Sequence, residues 1–191
     1  MISLKEAVHI LVSVITITLA FTLFPVGSFS INSFWFVLVT VGLAFVLHEL
    51  AHKFVAMHYG ASARYEAFTL GLVFALFLAF ASSLFLGYPI IFAAPGAVMI
   101  YGKTLSREQT GKIALAGPAT NLLLGFVFLL LFFAGFNKEL VVYGVLVNVF
   151  IGAFNLLPFH PFDGKKIKDW NQKIWLSFFL FFLAALFLAP V

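Results

Sequence analysis

The sequence contains no cysteine, which excludes disulfides, thiolate metal sites, iron–sulfur clusters and cysteine nucleophiles. It is also poor in charge: Asp, Glu, Lys and Arg make up 9% of 191 residues, eleven basic against seven acidic. The basic residues form no stripe with interleaved aromatics, so nucleic acid is excluded as a partner. They stand instead at the ends of apolar runs, the pattern of membrane orientation. Too little polar surface is left for a soluble domain, because 63% of the residues are hydrophobic, 27 are Phe, and the mean hydropathy is +1.13. No soluble domain of this length can hide so much apolar surface, whereas lipid accepts it directly. The chain therefore reads as a single-domain (residues 1–191), all-α polytopic membrane protein with the lipid bilayer as its first partner. Any metal must be held by His, carboxylate and water.

Against that background one stretch stands out, Val46-Leu47-His48-Glu49-Leu50-Ala51-His52-Lys53. His48 and His52 are four apart, which at 3.6 residues per turn puts both imidazoles on one helix face, as two ligands of a tetrahedral zinc require. Glu49 is rotated about 100° from His48, off the ligand face but within reach of a water beside the ion. Each ionisable residue in hydrocarbon costs at least about 2.5 kcal/mol, so three within five residues argue for a role rather than for chance.

Taken in order, the chain predicts about six transmembrane helices. Apolar runs cover residues 7–24, 34–59, 69–87, 116–135, 140–157 and 174–189. The second carries the histidines, with His48 eleven residues, roughly 16 Å, from its end. Arg64 and Glu66 read as a polar turn. Residues 88–100, with Pro89, Pro95 and β-branched side chains, read as a small membrane-dipping extended or β segment that either recrosses the membrane or returns as a hairpin; such backbone is tolerated only against protein or a wet cavity. Gly144, Asn148 and Gly152 form a small-and-polar stripe suited to close helix packing, with Asn148 as an interhelical hydrogen-bonding residue. Asn121 either packs its span or lines the site. His9 and His58 read as interfacial, and His160 as a loop histidine.

A catalytic zinc needs a third protein ligand. Of the seven acidic residues only Glu49 and Asp163 are embedded beside apolar spans with no terminal turn to explain them, which makes Asp163 the third ligand alongside His48 and His52. Lys165 and Lys166 follow it closely, so it must lie nearer the interface than His48 unless these lysines snorkel. If the N-terminus is inside and residues 69–100 leave and re-enter one side, ten of the eleven basic residues lie inside and only Lys138 outside, which turns the active site toward the cytosol.

Together these residues resemble the site-2 protease family of intramembrane zinc metalloproteases. The resemblance covers His-Glu-Leu-Ala-His at 48–52, Ala-Gly-Pro-Ala-Thr-Asn at 116–121 and Asn-Leu-Leu-Pro-Phe-His-Pro-Phe-Asp-Gly at 155–164, in the family's order. It implies one zinc ion per chain held by His48, His52 and Asp163, Glu49 as catalytic base, and Asn155 as an aid to substrate or oxyanion. It implies as substrates the transmembrane helices of other membrane proteins, cut within or next to the bilayer. Ala51 stands where Gly is usual and Lys165 where a second Gly often follows Asp-Gly; neither removes a ligand. The chain leaves no room for the PDZ domain that many members insert. The rival is a non-proteolytic metal-binding or metal-transport protein. Transport would call for polar residues continuing the path through the membrane, and the first, third and last spans offer almost none.

Overall fold

In this computed structural model the described residues are 2–23, 30–90 and 95–188. The sequence readings at 24–29, 91–94 and 189 fall outside them. In chain order the elements are α1 (Leu4–Thr22), α2 (Ile31–His58), β1 (Ser62–Ala67), α3 (Thr69–Leu86), β2 (Gly96–Tyr101), α4 (Arg107–Phe133), α5 (Lys138–Asn155), α6 (Asp163–Trp170) and α7 (Gln172–Leu188).

Five helices, α1 to α5, have 18 to 28 residues and are apolar enough to cross a bilayer. At 1.5 Å per residue the shortest reaches ~27 Å, close to the hydrocarbon thickness. The sixth apolar run becomes α7, which has 17 residues. Large apolar side chains point outward throughout, among them Phe85, Phe133 and Phe187 at 76–82% exposure. A soluble protein avoids such a surface, and lipid solvates it.

The chain forms two compact units, one of Met1–Val46 and Arg64–Met99, the other of Leu47–Ala63 and Ile100–Val191. In the first, α1 packs on α3. Its polar residues at i, i+3 and i+7 share one face and hold the strands. The Glu6 carboxylate, 1% exposed, accepts from the Tyr65 N–H at 3.0 Å. His9 Nδ1 accepts from the Ala67 N–H at 3.2 Å, and Ser13 Oγ lies 2.8 Å from the Tyr65 hydroxyl. The supposed polar turn at Arg64 and Glu66 is therefore a strand, β1, paired with β2. Its backbone groups are satisfied by side chains that periodicity alone would assign to a membrane interface. The extended segment expected in residues 88–100 is β2, beginning at Gly96.

In the second unit α4 starts nine residues before the apolar run does. Ser106 and Gln109 form a reciprocal capping box, and the helix continues through Pro118 rather than starting beside it. The Thr120 hydroxyl donates to the Ala116 carbonyl within the same turn. Close approach follows the small residues: Gly144 faces the Phe128 ring and Gly152 the Phe182 ring, where any Cβ would collide. After α5, Pro158 and Pro161 stop helical continuation, and the chain turns into α6. Ile167 anchors this short helix in a core with Ala114, Leu156, Trp175 and Phe182, while Lys165 and Lys166 remain exposed. The turn is locked by the Trp175 indole N–H, which donates to the Leu156 carbonyl at 2.8 Å. Gly164 is seated against the same carbonyl, with no space for a Cβ. That seating sets the position of its neighbour, Asp163.

Candidate metal centre

His48 and His52 lie on successive turns of α2, 2% and 7% exposed, their rings 4.6 Å apart and nearly perpendicular. Asp163, the first residue of α6, is 7% exposed and points one oxygen at both. Its Oδ2 is 3.4 Å from His48 Nε2 and 3.0 Å from His52 Nε2. One ligand atom from each of the three residues falls within 4.8 Å of the others, the cluster of metal-ligating side chains found among the described residues. The other carboxylate oxygen, Oδ1, is 3.2 Å from the Lys166 ammonium, one turn along α6. That cation and the helix N-terminus both favour an ionised carboxylate.

The donors fit zinc. The His52 Nδ1 sits 2.7 Å from the Ile113 carbonyl oxygen, which can only accept; Nδ1 therefore carries the hydrogen and Nε2 keeps its lone pair for a metal. His48 Nδ1 lies 2.6 Å from Oδ1 of Asn121, whose amide is fully buried. The space in front of the two Nε2 atoms is kept open by Gly117 on α4. A Cβ there would collide with both Nε2 atoms, so a methyl group would occupy the place of an ion. Two imidazoles and a carboxylate are a zinc-type donor set.

The remaining predicted residues are placed differently. Glu49 is half-buried beside His48, with Asp163 and Lys166 also near it. Asn121 stands behind His48 as its hydrogen-bond partner. Asn155 ends α5, half-buried, with its amide N–H donated to the Ile151 carbonyl of its own helix at 3.0 Å. His160 and His58 are exposed and His9 holds β1. Sequence reasoning missed the parts played by Gly117 and Lys166. Gly117 lies in the Ala-Gly-Pro segment, where a glycine next to a proline in an apolar helix is a signal of close backbone approach.

The model of peptidase family M50 matches residues 36–139, just over half of the chain, including α2 with its His-Glu-Leu-Ala-His turn and α4 with Gly117 and Asn121. The chain belongs to peptidase family M50. These are the site-2 proteases, and this member is an integral membrane zinc metalloprotease by family, donor set and apolar helices. A provisionally named zinc metalloprotease of Methanocaldococcus jannaschii is 41% identical over 177 residues, covering 91% of this chain and 88% of the relative, and so extends the likeness beyond α4. A second zinc metalloprotease of that organism is 29% identical over 139 residues, 70% of this chain and 34% of its own length. A provisionally named zinc metalloprotease of Bacillus subtilis is 28% identical over 149 residues, 70% of this chain and 68% of the relative. No solved structure matches.

Proposed function

We propose that this M50 protease hydrolyses peptide bonds within or next to the transmembrane helices of other membrane proteins, with its active site toward the cytosol. One observation carries the reading: the buried ligands His48 and His52 belong to an apolar helix of 28 residues that is long enough to span a bilayer, with most of its length on either side of them. A site so placed meets substrate segments that are themselves in the membrane. The count of ten basic residues against one supports the cytosolic side.

Bound zinc would polarise the scissile carbonyl and acidify water, the chemistry that His48, His52 and Asp163 would secure by holding it. Glu49 takes the proton of the attacking water on its carboxylate and returns it to the leaving amine, so one side chain serves as base and then acid. Asn155 is the candidate to hold the substrate carbonyl, turning its amide from the Ile151 oxygen to do so. A substrate helix hides its carbonyls in its own hydrogen bonds, so it must unwind locally before it can be cut.

The test is zinc content and cleavage of a labelled transmembrane substrate in detergent, for the unaltered protein and Glu49→Gln. The expected outcome is about one zinc in both and a loss of turnover of about 10²–10⁴-fold in the variant. Cleavage of soluble peptides at the same rate as transmembrane ones would overturn the intramembrane reading. Unchanged turnover in Glu49→Gln would remove Glu49 from its role.

A further inference from the structure

The His48 imidazole is held by a relay of two buried amides that ends on a backbone carbonyl. Its Nδ1 faces Oδ1 of Asn121 at 2.6 Å, the Asn121 amide nitrogen donates to Oδ1 of Asn148 at 3.0 Å, and the Asn148 amide nitrogen donates to the Gly144 carbonyl at 2.8 Å. Both asparagines are 0% exposed, one on α4 and one on α5. The order of oxygen and nitrogen in an Asn amide is set by what surrounds it, and here one end of the relay leaves no choice. A carbonyl oxygen only accepts, so Asn148 must turn its nitrogen to Gly144 and its oxygen to Asn121. Asn121 must then turn its nitrogen to Asn148 and its oxygen to His48. An amide oxygen only accepts as well, so His48 Nδ1 must carry the hydrogen, and Nε2 is left with its lone pair toward Asp163 and the metal.

We propose that Asn148 is a positioning residue of the zinc centre, acting through Asn121 to fix the tautomer and ring orientation of His48 from the neighbouring helix α5. The proposal rests on the metal-centre reading and is independent of where the substrate is cut. It separates Asn148 from ordinary helix packing, because its acceptor oxygen is what the relay needs. Replacement by Leu keeps the number and branching of the side-chain heavy atoms and removes the acceptor, so the Asn121 amide can reverse and present a donor to His48. Replacement by Asp keeps the size of the side chain and an oxygen that accepts from Asn121.

The experiment measures the zinc dissociation constant by chelator competition in detergent for the unaltered protein, Asn148→Leu, Asn148→Asp, Asn121→Leu and the Asn121→Leu/Asn148→Leu double variant. It is joined by the imidazole ¹⁵N shifts of His48 in the zinc-free unaltered protein. Asn148→Leu should weaken zinc by about 10-fold or more, the range for partners that orient a ligand. Asn148→Asp should bind much as the unaltered protein does, and Asn148→Leu should cost nothing further once Asn121 is Leu. The ¹⁵N shifts should report a hydrogen on Nδ1. Independent, additive losses, an Asp variant as weak as the Leu variant, or an Nδ1 without hydrogen in the unaltered protein would each overturn the proposal, the last without any variant having to fold. Unaltered protein that holds no zinc would overturn the metal-centre reading and this proposal together, whereas normal zinc with unaffected variants would overturn this proposal alone.

Discussion

His48 and His52 occupy successive turns of one helix, face the same carboxylate oxygen, and are held in opposite ways. His52 leans on a single main-chain carbonyl, that of Ile113, which every residue type at that position would supply. His48 depends on two side chains in series, Asn121 and Asn148, before its relay reaches a main-chain carbonyl at Gly144. Both arrangements put a hydrogen on Nδ1 and a lone pair on Nε2, yet only one can be lost by changing side chains. The metal centre is therefore built with a robust ligand and a dependent one. The dependent ligand joins α5 to the zinc, whereas α4 supports both.

The largest break in this comparison is one that ignores it. Gly117 faces both Nε2 atoms with no space for a Cβ, so Gly117→Ala should displace the two imidazoles alike. Zinc should be lost by more than the roughly 10–100-fold expected when a supporting partner is removed. Metal content after chelator challenge measures this, with the thermal midpoint of the zinc-free protein as the control for folding. Retention of zinc by Gly117→Ala would mean that the imidazoles can retreat and that the two supports are softer than their bond lengths imply.

A smaller break concerns the third ligand. Asp163 divides its oxygens between the imidazoles and Lys166, whose side chain is 46% exposed. An ion pair with so much solvent on one partner is worth ~0–1 kcal/mol, so Lys166→Gln should weaken zinc by no more than about fivefold. The difference should shrink further at high salt. A large, salt-independent loss would show instead that Lys166 holds Asp163 as firmly as the relay holds His48.

How much of this was legible in the sequence follows from the range of each interaction. The i, i+4 histidines are a local matter of helix periodicity, so the first two ligands could be read from five residues. Asp163 could be singled out because an acid in so apolar a chain has few other reasons to be there, and the structure brings its carboxylate to the two imidazoles. The Gly144, Asn148 and Gly152 stripe announced close packing, and Gly144 and Gly152 do meet Phe128 and Phe182. It did not say that Asn148 would meet Asn121, because that pairing depends on the rotation of α5 against α4, which no local pattern encodes. The strand β1 was missed for a related reason. Its N–H groups are taken up by Glu6 and His9, more than fifty residues earlier, and polar residues flanking an apolar helix look the same whether they face water or hold a strand. The start of α4 was placed too late because Pro118 reads as a boundary, while the capping box at Ser106 begins the helix earlier.

The smallest expected effect is the one that isolates the main-chain support of His52. Ile113 is 5% exposed and contributes its carbonyl to His52, while its side chain packs in the interior. Ile113→Val removes one methylene and leaves the carbonyl, so the protein should lose ~0.5–1.5 kcal/mol of stability and no zinc affinity at all. Asn121→Leu, on the same helix α4, should do the reverse in kind, costing zinc through His48. Measuring both quantities for both variants separates the two supports without touching a ligand. If Ile113→Val were to weaken zinc in proportion to its loss of stability, the affinity would be tracking the packing of α4 as a whole, and the distinction between a main-chain and a side-chain support would have no consequence for the metal.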